Sequence, residues 1–167
     1  DSQVMRVALE YSSMLGVPVI NHEEDLALSR PGHMNEGVVS TRLGLDGTPG
    51  IAEETMIARD ILIAGFTGGH IHVAHISTRK AVDLVRKAKK EGVNVTTEVC
   101  AHHFDLTDEE IDKRHFDTNV KMHPPLRTQD DVDAMIEGLA DGTIDVICTD
   151  HAPHPIEEKE VEFIYAP

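Results

Sequence analysis

Apolar residues recur at helical spacing in some stretches of the chain and run together in others, and the two patterns alternate. Residues 3–15 place Val4, Val7, Ala8, Tyr11 and Leu15 on one helical stripe, and Gly16 closes the helix. Residues 17–20 form a short apolar run ending on Asn21 and His22, the pattern of a buried strand. Further helices are predicted over 52–64 (Met56, Ile57, Ile61 and Ala64 apolar), 80–91 (Ala81, Leu84, Val85 and Ala88 inward) and 130–140 (Val132, Met135, Ile136 and Leu139). Further strands are predicted over 70–76, 93–100 and 143–149. Thr107, followed three residues on by Glu110, has capping-box spacing and predicts a short helix. Residues 26–50, rich in Gly, Pro and Ser, read as a long excursion loop with room for a helical turn, and 122–127 read as extended around Pro124 and Pro125.

Strands alternating with helices of 10–15 residues imply βαβ units and a parallel sheet. Four such strands make a small open sheet or half of a closed (β/α)₈ barrel, which typically needs ~250 residues. One pattern favours the half barrel. Each strand ends on residues able to ligate or to move protons: Asn21 and His22, His75, His102 and His103, Asp150 and His151. In a barrel those ends converge on one mouth.

Composition narrows the chemistry. A chain of 167 residues is one domain or part of one, and an apolar fraction of 40% suffices for a core. No apolar run is long enough to span a membrane, and the first ten residues lack the basic and apolar regions of a signal peptide. A net charge of −15 argues against tracking nucleic-acid phosphates. Two cysteines cannot make a disulfide framework, so Cys100 and Cys148 are expected to be small buried residues in a reducing cytoplasm. The 11 histidines are clustered rather than scattered, which points toward a transition-metal site.

Each candidate has two readings. His22 is a metal ligand delivered by a buried strand, or a histidine in a loop. His72 and His75 differ by three and face opposite sides of a strand, so one at most enters the mouth, and His75 is nearer the strand end. His70 and His72 are expected to be hydrogen-bonded rim or core residues. Asp150 ligates metal and accepts a proton, or accepts backbone N–H bonds in a strand-ending turn; spacing alone does not choose. Glu23, Glu24 and Asp25 read as a solvated acidic edge, and Arg127 as a surface residue leading a helix. No Gly-rich phosphate loop or serine nucleophile elbow is present.

Taken together, Thr149-Asp150-His151-Ala152-Pro153-His154, His75-Ile76-Ser77-Thr78 and Pro124-Pro125-Leu126-Arg127 resemble the bacterial dihydroorotases of the metal-dependent amidohydrolase superfamily, in order and across essentially the whole chain. The resemblance implies a partial (β/α)₈ barrel, about strands five to eight with their helices, with residues 1–167 forming the C-terminal portion of one catalytic domain. It implies one or two zinc ions, with His22, His75 and Asp150 as ligands, Asp150 also as the catalytic proton carrier, and His123 and His154 touching substrate. His123 stands where that family usually has Asn, Glu23 replaces a common Cys, and Cys100-Ala101 replaces the usual Thr-Pro or Asn-Pro. The family's His-x-His pair and bridging carboxylate are absent and would lie outside residues 1–167. The implied reaction interconverts N-carbamoyl-L-aspartate and L-dihydroorotate in pyrimidine synthesis. The rival readings are hydrolysis of another cyclic amide, as in hydantoinases, dihydropyrimidinases and allantoinases, and a non-catalytic homologue scaffolding aspartate transcarbamoylase. The implied partners are thus a small-molecule substrate, with aspartate transcarbamoylase and a second copy of the chain as candidate protein partners, and neither nucleic acid nor membrane.

Overall fold

The computed structural model describes residues 1–167. Asp1 caps α1 (Ser2–Leu15) by accepting from the backbone N–H groups of Gln3 and Val4, and Gly16 ends it in the left-handed region at φ 68°. There follow β1 (Val19–Asn21), α2 (Leu26–Ser29), β2 (Met34–Asn35), α3 (Val38–Leu43), β3 (Gly47–Thr48), α4 (Ile51–Thr67), β4 (Ile71–Val73) and α5 (Arg79–Lys90). The chain continues through β5 (Val95–Cys100), α6 (Glu110–Lys113), α7 (Gln129–Ala140), β6 (Val146–Cys148) and α8 (Ile156–Lys159).

The main sheet runs β1-β4-β5-β6 with every pair parallel: Val19 faces Ile71, Ile71 faces Val95, and Glu98 faces Val146. Spatial order equals chain order. A doubly wound sheet reverses direction at a switch point, whereas an unreversed run of parallel strands joined by helices is an arc of a barrel wall. Helices pack in the same succession, α1 on α4, α4 on α5 and α5 on α7. Between sheet and helices lies the core. Ile71, Val73, Val95 and Val99 point outward from the sheet into Ile57, Ala64, Val82, Val85, Ala134 and Met135. No helix is long and apolar enough to cross a membrane.

Three local expectations need correction. In α1 the buried face is Met5, Leu9 and Ser12, while Val4, Tyr11 and Leu15 are exposed. The helix carries two apolar stripes, and the one holding Leu9 is pressed against the turn at Gly69, where a Cβ would lie 2.3 Å from the Leu9 carbonyl oxygen. Residues 26–50 are ordered structure, with β2 and β3 pairing in parallel, Met34 opposite Gly47. A Cβ at Gly47 would meet the Glu36 Cα at 2.4 Å, so this close pairing requires glycine. A second small core of Met34, Val39, Ile111, Val120, Leu126 and Phe163 ties this excursion to the 104–127 region and the C-terminal segment. Thr107 does not cap α6. Its carbonyl closes a turn onto Glu110 N–H, and the capping box forms instead at Thr128 and Asp131, which open α7.

Arg127 is a buried residue, only 3% exposed, and not the surface residue the sequence suggests. Its Nε donates to Ser77 Oγ at 3.0 Å, and its Nη1 donates to Asn35 Oδ1 at 2.9 Å and the Thr48 carbonyl at 2.8 Å. Glu53 of α4 faces it, 3.9 Å from Nη2, and accepts from the backbone N–H of Ser77 and from the Ser77 hydroxyl. One guanidinium therefore joins the loop after β4, the β2–β3 excursion and the 122–127 segment.

Two stability outcomes follow from this packing. Ile57→Ala, at a fully buried position on α4, should lower unfolding free energy by ~2–5 kcal/mol. Leu62→Ala on the same helix, 74% exposed, should change it by no more than ~0.5 kcal/mol. Urea titrations of both variants check the assignment of the buried face. Arg127→Met should cost ~3–5 kcal/mol because it leaves the Glu53 carboxylate buried without its counter-charge. Adding Glu53→Gln should recover part of that loss in the same assay; a double variant no more stable than Arg127→Met would show that the charge pairing is not what matters.

Candidate metal centre

All four strands of the main sheet deliver a polar residue one or two positions past their end: His22 after β1, His75 after β4, His102 after β5 and Asp150 after β6. His75 and Asp150 hold equivalent places and share an uncommon backbone, with φ of 29° and 47°. Positive φ is costly for residues with a Cβ and persists where surrounding structure enforces it, often at functional sites.

The first two histidines meet. His22 Nδ1 lies 3.1 Å from His75 Nε2. Two imidazole nitrogens on one tetrahedral zinc, with bonds of about 2.0–2.1 Å, stand ~3.3 Å apart, so this spacing suits a shared ion. The other His75 nitrogen, Nδ1, is buried without a hydrogen-bond partner. On its far side His22 approaches Glu24, with Nε2 at 3.6 Å from Oε2, and Glu24 Oε1 is 2.9 Å from His123 Nε2. His22, Glu24 and His123 each offer an atom within 4.8 Å of the others. The imidazoles of His22 and His123 are stacked at 5.2 Å. Burial, then the neighbouring His75 and His123, hold His22 below its ordinary pKa, which keeps it in the neutral form that ligates metal. Burial works against the Glu24 charge, but the Ser29 hydroxyl and His123 outweigh it and hold Glu24 below the usual carboxylate value. Two imidazoles at metal-sharing distance with a carboxylate nearby form a donor set that fits a zinc-class cation.

Asp150 stands elsewhere on the rim. Its side chain makes no hydrogen bond or ion pair, and its charge acts on His102, Cys100 and Cys148. Together with His102, His123 and His154 it lines a cleft of about 460 Å³. His154 sits exposed at the cleft edge, with Nδ1 3.0 Å from Glu158 Oε2. The structure thus joins His22 to His75, and gathers Asp150, His123 and His154 around one opening. His70, just before β4, and His72, in the middle of it, lie away from that rim, both hydrogen-bonded to Thr96 Oγ1 at 2.8 Å.

The acidic edge expected at residues 23–25 does not exist as such. Glu23 is 4% exposed, and burial together with Asp60 pushes its carboxyl well above the usual range. Asp25 caps α2 through the Ala27 N–H, and Glu24 joins the histidines. Alternation carried the signal: successive residues after a strand point in opposite directions, so His22 and Glu24 share a side while Glu23 turns inward. Lys121 and Lys159 also line the cleft and were not singled out from the sequence.

Comparison with known proteins agrees with this architecture. Residues 1–81 match the family model described as Dihydro-orotase-like. The chain is 56% identical over 163 residues to a protein named dihydroorotase from Ruminiclostridium cellulolyticum, and 58% identical over 164 residues to one from Pelotomaculum thermopropionicum. Each match covers 98% of this chain and 38% of the relative, so the chain spans well under half of those proteins. Among solved structures, a dihydropyrimidinase from Brevibacillus agri superposes with TM-score 0.83 at 22% identity, over 100% of this chain and 38% of that one. A D-hydantoinase from Thermus sp. gives 0.80 at 26%, with the same coverage. The fold is therefore that of a segment of the dihydropyrimidinase and hydantoinase structures, and in sequence the chain is similar, along almost its whole length, to part of the proteins named dihydroorotase.

Proposed function

We propose that this chain is about strands five to eight of a dihydroorotase barrel, the C-terminal portion of one catalytic domain, and that it supplies half of a zinc-dependent active site. The observation that carries this reading is the approach of His22 Nδ1 to His75 Nε2 at the carboxyl edge of a parallel sheet. The substrate pair is L-dihydroorotate and N-carbamoyl-L-aspartate, in a cytoplasmic enzyme; two free thiols 3.3 Å apart suit a reducing compartment. Zinc, one or two ions held by His22, His75 and Asp150 with ligands from the rest of the protein, would polarise the ring amide carbonyl and acidify the attacking water.

The residues of this chain would do the rest. Asp150 would take a proton from the attacking water and pass it to the ring nitrogen as the amide C–N bond breaks. The cleft would hold an anionic substrate in spite of the −15 net charge, because Lys121 and Lys159 stand in its lining. His154 and His123 would contact the substrate, with Glu24 fixing the His123 ring through the 2.9 Å contact. Under the scaffold reading, in which a homologue only binds aspartate transcarbamoylase, nothing would keep two imidazoles at metal-sharing distance. Their convergence favours catalysis.

In the full-length protein carrying this segment, Asp150→Asn should fold normally and lower kcat by ~10²–10⁴-fold, since the amide cannot accept the proton. Steady-state kinetics with zinc content measured alongside tests this; a variant that retains zinc and about a tenth of wild-type kcat would remove Asp150 from the proton path. His154→Ala should raise KM with little change in kcat, as expected for a contact shared by ground and transition states. Assays on dihydroorotate, hydantoin and dihydrouracil identify the substrate, and turnover confined to either of the last two would favour the hydantoinase reading.

A further inference from the structure

The pair of strands farther from His22 carries a second concentration of donor atoms that the catalytic reading leaves unused. Cys100 ends β5 and Cys148 ends β6, and the two are register partners with their sulfurs 3.3 Å apart and unbonded. Directly after Cys100, the chain turns through a 3₁₀ segment, Ala101–His103, which folds both histidines back. A ring nitrogen of His102, one of His103 and the Cys100 sulfur all lie within 4.8 Å of one another.

An independent observation shows which atom of His103 is free. The residue is buried, and its Nε2 is 3.0 Å from the Pro124 carbonyl oxygen. A carbonyl only accepts, so Nε2 carries the proton and donates. Nδ1 is then an unprotonated lone-pair nitrogen, and it is buried with no hydrogen-bond partner. Buried polar atoms are nearly always satisfied, and an exception calls for an absent partner. A histidine with one nitrogen donating to a backbone carbonyl and the other free has the arrangement that metal-ligating histidines adopt.

We propose that Cys100, His102 and His103, with Cys148 as fourth donor, form a second, thiolate-containing site for a zinc-class divalent cation, adjoining the His22–His75 rim and distinct from it. Cys100, His102 and His103 already stand within 4.8 Å of one another, whereas Cys148, close to Cys100 alone, has to move toward the histidines to complete the set. Two sulfurs on a tetrahedral zinc, with bonds of about 2.3 Å, stand ~3.8 Å apart, so the cysteine pair opens by about half an ångström. The two thiol protons are released to solvent on binding, and the cation replaces them. His102 lines the cleft and gives the ion a way in. Burial, with a smaller contribution from Asp150, holds both thiols above their ordinary range, so the cation has to displace their protons as it binds.

The test is cobalt(II) titration of the reduced, metal-stripped full-length protein that carries this segment, followed by near-ultraviolet absorption and by the reaction rate of its thiols with a disulfide reagent. A thiolate-to-cobalt charge-transfer band should grow to saturation, thiol reaction should slow by at least about tenfold, and zinc should bleach the band. Cys100→Ser should weaken the band and Cys100→Ser/Cys148→Ser should abolish it, His103→Ala should weaken cobalt binding by at least about tenfold, and His22→Ala should keep the band. Wild-type protein that gives no such band would overturn the proposal without recourse to any variant. So would a band that survives in a Cys100→Ser/Cys148→Ser protein, or thiols that disappear into a disulfide while cobalt is still bound.

Discussion

Parallel pairing forces every strand of a sheet to end at the same edge. With β1, β4, β5 and β6 in register and unreversed order, whatever follows each strand is brought to one rim, however far apart it lies in sequence. His22 and His75 are 53 positions apart and touch for this reason. The helices that return the chain keep their apolar faces on the outer side of the sheet, around Val73, Val85 and Met135, which leaves the rim to polar residues. Core and site are thus separated by geometry: the helix layer supplies stability, and the loops after the strands supply chemistry.

Loops need to be held if they are to place ligands to a few tenths of an ångström. Here a buried charge pair does much of that. Arg127 and Glu53 bind the loop containing Ser77, two residues after His75, to the segment that carries His123. Such a pair contributes less to net stability than to uniqueness of arrangement, because desolvation offsets much of its attraction. The exposed ion pairs, such as Arg42 with Glu109 and Arg86 with Asp141, contribute little by comparison. On the proposed function, Lys121 and Lys159 in the cleft would draw in an anion despite the acidic surface.

Much of this was legible in the sequence because it depends on period. The helices at 52–64, 80–91 and 130–140 and the strand at 93–100 agree with α4, α5, α7 and β5 to within a few residues. The rim positions of His22, His75 and Asp150 could be read because each follows an apolar run. What was not legible depends on which of two surfaces finds a partner. In α1 both stripes are apolar, and only contact with α4 selects Met5 and Leu9. Residues 26–50 looked like a loop because Gly47, which permits the β2–β3 pairing, reads as a breaker when taken alone. Arg127 and Glu23 looked solvent-facing because charge normally is; Arg127 is buried against a partner remote in sequence, Glu53, and Glu23 is buried beside Asp60, where its charge is disfavoured. Glu24 was passed over as one of three adjacent acids, although strand alternation separates it from Glu23.

The account rests on His22 and His75 being joined through a shared cation. Long-range ¹⁵N–¹H correlation spectra of the imidazoles, recorded as zinc is added at fixed pH, report on each ring nitrogen separately. The His22 Nδ1 and His75 Nε2 resonances should move together to the positions of metal-bound nitrogens, with His22 Nε2 and His75 Nδ1 in the protonated form. Zinc saturation that leaves both nitrogens unshifted, or shifts only one of them, would contradict the account.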